Sequence, residues 1–272
     1  MSAICNACSS VVSGSLIALC MFLASLSASA QCGTTGIAFR SGETLSYDLY
    51  FNWKFVWLKV GFATWNVTSS TYGGKPAYRT RLVTRTAAKY DRYFTMRDTL
   101  TSYVSQSDLT PLFYSKHAFE GGTLRQEDVR YTYPGGKCHV SMTYRRDGGA
   151  LQRASATVSC AYDMLSMMLR SRSFNTASWK KGHRVNFNLV EGNKCQQRTF
   201  CYIGEKNFTV EGTGKTYRCL VFSYLEREDG KKEKEIVKFY ITNDKAHLPV
   251  RLDLNLRFGT AKAYLTAARG TR

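Results

Sequence analysis

The sequence predicts a mainly β protein: a large curved antiparallel sheet, an open β-barrel or a half-barrel, with one short central helix at about residues 163–171. Three observations predict this class. Apolar and polar residues alternate in many runs, turn residues separate these runs at roughly 8–12-residue spacing, and one segment has helical spacing instead. The clearest run is Val250 to Phe258, which we expect to close the sheet and to turn Arg251 and Arg257 to a solvated basic face.

The first thirty residues differ from the rest of the chain. They contain no charged residue or histidine, and they hold an apolar run from Leu16 to Leu23 followed by Ala28-Ser29-Ala30. This pattern predicts a secretory signal peptide over residues 1–30, although the lack of a basic residue at its start is atypical. A retained anchor is the alternative, but the run is shorter than the ~20 residues of a spanning helix. Residues 31–272 then form one β-rich domain, with a pseudo-boundary near 145–160 as the alternative.

The charge balance is strongly basic. Thirty-eight Lys and Arg against twenty Asp and Glu give a formal net charge of +18. Such a surface attracts lipid head groups, acidic glycans or nucleic acid. Export to the periplasm, the envelope or the medium argues against nucleic acid and leaves an anionic or amphiphilic envelope component, lipid or glycan, as the partner. Peripheral membrane association fits this charge, and so does a merely soluble basic surface.

Six cysteines follow the signal peptide: Cys32, Cys138, Cys160, Cys195, Cys201 and Cys219. An oxidising compartment would permit disulfides among them. Cys195 and Cys201 are six residues apart on one predicted strand, roughly 20 Å at ~3.3 Å per residue, which is too far for a bond. Cys219 on a neighbouring strand is the better partner for one of them. No C-x-x-C pair predicts a metal or redox site.

The first predicted strands cover residues 43–51, 55–58, 60–67 and 78–86. Gly61 indicates a bulge or a close approach of two backbones, and Tyr72 to Lys75 indicates a hairpin turn. The next four strands cover residues 93–105, 112–119, 125–133 and 138–144. After the helical segment, strands are predicted over residues 184–190, 194–203, 206–211, 217–226, 234–242 and 261–267, with Asp229-Gly230 as a hairpin turn.

The helical segment begins after Asp163, a suitable N-cap. Met164, Leu165, Met168 and Leu169 share one face, which predicts a helix that packs into the core of the sheet. Alternatively, Met164 and Met168 line a lipid-binding cavity, because methionine adapts to irregular ligands.

Two further groups are candidate binding residues. Trp53, Phe55 and Trp57 lie at a predicted hairpin tip between lysines, where exposed rings would suit an amphiphile with an anionic head group. A buried corner of the barrel is the alternative. Arg79, Arg81 and Arg85 share one strand face with Val83 and could bind phosphate or carboxylate bidentately. They could equally form a solvated face that discourages edge pairing.

No catalytic motif is present. The chain lacks G-x-S-x-G, H-E-x-x-H and a complete phosphate loop, and its four histidines are far apart in sequence. We therefore predict no catalytic residue, no metal site and no cofactor.

Several ordered motifs resemble a known family. These are Gly42-Glu43-Thr-Leu-Ser-Tyr47, Gly61 with Ala63, the Asp108 to Pro111 turn, the Asp163 to Arg170 helix and the closing Tyr240 to Arg251 stretch. Together they resemble the bacterial family catalogued as domain of unknown function 3108, over most of residues 42–268. The resemblance implies an exported, envelope-associated β protein and no established activity. The many cysteines and the three-arginine face depart from the common pattern.

The leading hypothesis is an exported, non-enzymatic envelope protein that binds a lipid or another amphiphilic or anionic envelope component. The alternatives are a glycan-binding or structural surface protein of the envelope and a hydrolase with dispersed carboxylates.

Overall fold

Alternating strands form almost the whole of the structure, a computed structural model that describes residue 34 and residues 36–53, 56–210, 213–227, 232–256 and 259–272, with Trp53 described by its backbone alone. The signal-peptide prediction, Cys32, Phe55, Asp229-Gly230 and Arg257 lie outside these residues. The first eight strands are β1 (Glu43–Trp53), β2 (Val56–Tyr72), β3 (Lys75–Thr86), β4 (Met96–Ser105), β5 (Pro111–Glu120), β6 (Thr123–Thr132), β7 (Cys138–Arg146) and β8 (Gln152–Val158).

The helix and seven further strands complete the fold. They are β9 (Ala161–Tyr162), α1 (Met164–Arg172), β10 (Arg184–Glu191), β11 (Lys194–Thr209), β12 (Thr216–Glu226), β13 (Lys234–Thr242), β14 (Pro249–Leu256) and β15 (Gly259–Arg269). In the described part of the chain, no helix has both the length and the hydrophobicity needed to cross a bilayer. The predicted class, mainly β with one short helix, is confirmed.

All fifteen strands belong to one nearly closed, barrel-like sheet. Its order is β8-β7-β6-β5-β4-β3-β2-β1-β15-β14-β13-β12-β11-β10-β9, and each pair is antiparallel except the parallel pair β9–β10. Strand β14 lies between β13 and β15, so our expectation that it closes the sheet is wrong. The edges are β8 and β9, and β15 joins the two halves of the chain by pairing with β1.

The β10–β11 turn spans the gap between the two edges. Its Gly192 amide donates to Glu127 Oε2 on β6 at 3.0 Å, and Asn193 Nδ2 donates to Gln152 Oε1 on β8 at 2.8 Å. Side chains therefore hold the sheet nearly closed where no strand ladder does.

Strand β2 is one long strand where the sequence predicts two. Its register with β1 shifts between Leu49 and Tyr50, so the bulge predicted at Gly61 is present. A Cβ atom on Gly61 would lie 2.2 Å from the carbonyl oxygen of Arg85, which only glycine avoids. Strand β11 likewise merges two predicted strands, with a register shift next to Gly204.

Four cysteines, Cys138, Cys195, Cys201 and Cys219, are free thiols. The predicted bond between Cys219 and a cysteine of β11 is wrong, because Cys219 pairs in register with Lys206 and Cys201 pairs with Ser223. That offset is four residues along β12, about 13 Å. Cys160 is disulfide-bonded.

Arg251 also departs from its predicted place. It lies half-buried with its guanidinium 4.8 Å from the rings of Phe208 and Tyr240, and it forms a two-point ion pair with Asp253 (2.6 and 2.7 Å). This arginine therefore packs against aromatic rings, where alternation alone predicts a solvated face.

Candidate functional site

The antiparallel order gives the sheet two ends that differ in construction. We call one the closed end: it holds the start of β1, the β13–β14 connection and the C-terminus of α1. The other, the open end, holds the β1–β2, β3–β4, β5–β6, β7–β8 and β14–β15 connections. The candidate site is the inner face toward the open end, together with the surface around it.

A buried ion pair fastens α1 at the closed end. Arg172 donates to Glu43 Oε1 and Oε2 through its Nη1 and Nη2 atoms, at 2.5 and 3.0 Å, and both side chains are at most 2% exposed. The same guanidinium donates to the carbonyl oxygens of Ala246 (2.9 Å) and His247 (3.0 Å). Good geometry and full hydrogen bonding offset the cost of burying these charges.

The ion pair connects three segments that are far apart in sequence. Glu43 lies in the motif that opens the fold, Arg172 follows the helix motif, and Ala246 and His247 lie in the closing stretch. Beside them, burial raises the pKa of Tyr47, whose hydroxyl has no hydrogen-bond partner among the described residues. The motifs that resemble a family are therefore connected by one buried ion pair. Among the described residues around it, no nucleophile is arranged with a base.

The predicted N-cap fastens the other terminus of α1. Asp163 Oδ1 accepts from the Ser166 amide at 2.9 Å, and the Asp163 amide donates to Ser166 Oγ at 3.0 Å, a complete capping box. Ser102 Oγ of β4 also donates to Asp163 Oδ2 at 3.0 Å. Burial raises the pKa of the Asp163 carboxyl, and these hydrogen bonds oppose the rise.

One wall of the open half is apolar. Phe239 pairs with Leu252 and Val237 pairs with Leu254, and each pair shares the inner face with the core residue Phe222. The four paired residues are only half-buried. Their side chains therefore keep more accessible surface than that of Phe222, which is buried.

The facing part of the inner face, on β4 to β6, carries charges in matched pairs. Lys116 Nζ lies 3.6 Å from Glu127 Oε1, and Arg125 Nη1 lies 2.6 Å from Glu120 Oε2. Each of these two cations therefore has its charge compensated by a carboxylate of the same wall.

Asp98 lies on the same wall, and its carboxyl group has an incomplete set of hydrogen bonds and a raised pKa. Thr84 Oγ1 donates to its Oδ2 at 3.3 Å, while Oδ1 is buried with no partner among the described residues. Burial first, and then the negative charge of Glu120, raises the pKa of Asp98 to about 7. The group is thus an uncharged acid over much of the acidic range.

Exposed apolar side chains collect around the open end. The residues that we call the apolar rim are Val56, Trp57, Tyr93, Phe94, Phe119, Leu124, Leu151 and Leu256. In the described part, the other exposed large apolar side chains are Phe62, Met164 and Ile203. A concentration of this kind at one end is unusual for a solvated surface.

The aromatic candidates fall at this rim. Trp57 is exposed, and Lys262 Nζ lies 3.9 Å from the centre of its ring. For Trp57 the buried-corner alternative is therefore wrong. The side chains of Trp53 and Phe55 lie outside the described residues.

The two methionine candidates, Met164 and Met168, differ in burial. Leu165, Met167 and Leu169 form the buried face of α1, Met168 packs partly buried between both core clusters, and Met164 is 41% exposed. The predicted face that joins Met164 to Met168 is wrong in this respect, because Met164 lies at the first helical position, before the packed part of the helix. The interpretation of α1 as a core-packing helix fits its buried residues.

The arginine candidates share the outer face of β3, as predicted. Arg79 and Arg85 are exposed and Arg81 is half-buried. Strand β3 lies between β2 and β4, so the alternative that these arginines discourage edge pairing is wrong. They lie outside the inner wall and take no part in it.

A separate polar cleft of about 580 Å³ involves strands β10 to β12. Its lining includes Arg184, Asn186, Gln197 and Arg227 and contains no aromatic ring among the described residues. Neither Met164 nor Met168 lines it. In the part of the chain that the structure describes, no group of three or more His, Cys, Asp or Glu side chains could hold a metal ion.

A comparison with a solved structure supports the barrel-like fold. A β-barrel-like protein of the DUF1849 domain family from Brucella abortus matches with a TM-score of 0.55 at 11% identity, over 88% of this chain and 99% of that chain. A protein with a YmcC-like fold from Bacteroides fragilis NCTC 9343 matches at 9% identity with a TM-score of 0.34, over 88% and 100% of the two chains. No curated protein matches this sequence. The sequence model of the family described as "Protein of unknown function (DUF3108)" matches residues 46–266, which confirms the predicted resemblance.

Proposed function

From the premise that this chain belongs to the DUF3108 family of proteins of unknown function, we propose that it is an exported, non-enzymatic envelope protein that binds an amphiphile inside the open half of its sheet. The observation that carries the proposal is the half-exposed inner wall of Val237, Phe239, Leu252 and Leu254. Apolar side chains left accessible inside a sheet favour an acyl chain, because its burial removes apolar area from water.

The charges of the site suggest how such a ligand would be oriented. The two cations of the polar wall are already paired with Glu127 and Glu120, so they give little attraction for an anionic group deep inside. Lys262 lies near the open end beside Trp57 and has no carboxylate within 4 Å among the described residues, whereas Lys59 pairs with Asp48 at 2.6 Å. An anionic head group would therefore lie at the mouth, and the acyl chain would extend inward.

Uptake of a fluorescent fatty acid tests this function. Leu254→Glu places a charge on the apolar wall, and we expect it to weaken uptake at least about tenfold, the effect of losing one apolar contact of ~1.5 kcal/mol. Ile203→Glu is the control, because Ile203 is an apolar residue of β11 that lies outside the wall and is 36% exposed. No uptake by the wild type, with only empty protein in native mass spectrometry, would contradict the proposal.

Glycan binding is the second candidate, and the polar cleft favours it. Amide and guanidinium groups such as those of Asn186, Gln197 and Arg184 can hydrogen-bond sugar hydroxyls and acidic substituents. Retention on heparin or peptidoglycan that survives moderate salt and is lost in Arg184→Ala would support this function. The same loss in the triple variant Arg79→Ala, Arg81→Ala, Arg85→Ala would instead locate binding on the outer face of β3.

A further inference from the structure

We infer that the open end is a membrane-docking surface, in which the apolar rim enters the interface of a bilayer that contains anionic phospholipid. The proposed amphiphile binding concerns the interior, whereas this inference concerns the outer surface and the partner that it fits. It stands on the shape, exposure and charge of the rim.

The β3–β4 connection shows the rim in most detail. Tyr93 is 68% exposed and Phe94 is 40% exposed, although both are aromatic residues that folding normally covers. The guanidinium of Arg92 lies 4.6 Å from the centre of the Tyr93 ring, and Lys89 Nζ lies 4.9 Å from that of Tyr90. Aromatic rings flanked by cations suit the boundary between head groups and acyl chains.

Internal hydrogen bonds and an ion pair stabilise the conformation of this connection. Asp91 accepts from Thr86 Oγ1 at 2.7 Å and forms an ion pair with Arg97, and Thr95 Oγ1 donates to the Asp91 carbonyl at 3.1 Å. The carboxylate of the connection is thus occupied by internal contacts, while Arg92 and Lys89 have no ion-pair partner among the described residues. The charge that stays uncompensated beside the exposed rings is therefore positive.

The β7–β8 connection, which lies beyond the β5–β6 connection at the same end, repeats the arrangement. Leu151 is exposed, Arg145 and Arg153 have no carboxylate partner within 4 Å in the described ranges, and Asp147 is engaged by Arg146 and by the amide of Leu124 (2.7 Å). The acidic group is again bound within the connection, and the two basic groups have no carboxylate partner in the described ranges. This charge pattern selects an anionic bilayer over a zwitterionic one, because each basic residue near such a surface adds roughly 1 kcal/mol of attraction.

Co-sedimentation with lipid vesicles tests the inference. The wild-type protein is expected to bind vesicles of phosphatidylcholine with phosphatidylglycerol, and to bind phosphatidylcholine vesicles at least about tenfold more weakly. The double variant Tyr93→Ser, Phe94→Ser is expected to lose at least about tenfold in binding to the anionic vesicles. Ile203→Ser is the matched control and is expected to bind as the wild type does, because Ile203 lies outside the rim.

Three outcomes would overturn the inference. They are equal binding by the rim double variant and the wild type, an equal loss in Ile203→Ser, and no vesicle binding by the wild type. Thermal melting of each variant checks that the sheet is intact, which we expect because the changed side chains are exposed. Vesicle binding does not depend on the interior, so Leu254→Glu should still sediment with anionic vesicles, and failure of ligand uptake remains distinguishable from failure of docking.

Discussion

At the scale of single residues, the pair Arg172–Glu43 is the most consequential contact, because both charges are removed from water. Glu43→Gln would leave a buried guanidinium without its counter-charge, and we expect it to lower the free energy of unfolding by about 3–5 kcal/mol. Chemical denaturation measures this loss. Glu205→Gln, which breaks the exposed pair with Arg218, is the matched control and should cost less than about 1 kcal/mol.

A double-mutant cycle measures the interaction free energy between Glu43 and Arg172. The double variant Glu43→Leu, Arg172→Met removes both charges together, so it should cost less than the sum of Glu43→Leu and Arg172→Met. Additive losses would show that the two side chains do not act as a pair.

Asp98 should make stability depend on pH. Its pKa is about 7 in the folded protein, against an ordinary value of 3.8. Between these values the folded state holds a proton that the unfolded state releases, so the free energy of unfolding falls as pH rises from about 4 to about 7. An asparagine side chain at this position cannot ionise. We therefore expect Asp98→Asn to be more stable than the wild type at pH 8, by roughly 1–3 kcal/mol, and similar to it near pH 4. Parallel stability curves of the two proteins from pH 4 to pH 8 would contradict this assignment.

At the scale of elements, α1 depends on a buried cap. Asp163→Ala removes the acceptor of the Ser166 amide and leaves Ser102 without that partner, so we expect a loss of about 2–3 kcal/mol in the free energy of unfolding. Asp163→Asn keeps an acceptor oxygen and should lose clearly less. Equal losses in both variants, measured by chemical denaturation, would show that the charge of Asp163 matters and its hydrogen bonds do not.

The sequence predicts elements well where one face is buried. Strand β4 shows why: its inward residues Leu100, Ser102 and Val104 are buried and alternate with less buried neighbours, so local spacing carries the signal. The sequence does not predict β8, because Gln152 to Val158 is an edge strand whose residues are all at least partly exposed, which removes the strong alternation. A glycine inside an apolar run predicts the bulge at Gly61, and the β3 backbone lies too close to this position for any residue with a Cβ.

The residues of the candidate site are harder to predict from the sequence. Glu43 and Arg172 are separated by 129 positions, and nothing local in either segment indicates that they meet. Trp57 can be singled out because its tip holds more aromatic residues than a turn requires. The sequence places Tyr93 and Phe94 at the start of a strand, although they lie exposed in the preceding connection. Only the order of strands around the sheet brings these rings to one end.

At the scale of the whole molecule, one end of the sheet stabilises the fold and the other end carries the proposed binding surfaces. The buried ion pair and α1 fill the closed end, where a change of side chain affects stability. The open end combines an accessible apolar wall with the apolar rim, where a change should affect binding and leave folding intact. Variants at the two ends are therefore expected to separate into two classes.

A crystal of the protein soaked with a fatty acid brominated along its chain tests whether an acyl chain binds inside the sheet. The anomalous signal of bromine locates the acyl chain without any assumption about its path. We expect bromine peaks on the inner face of the open half, beside Val237, Leu252 and Leu254. Bromine peaks confined to the outer surface of the sheet, with the inner wall empty, would contradict this expectation.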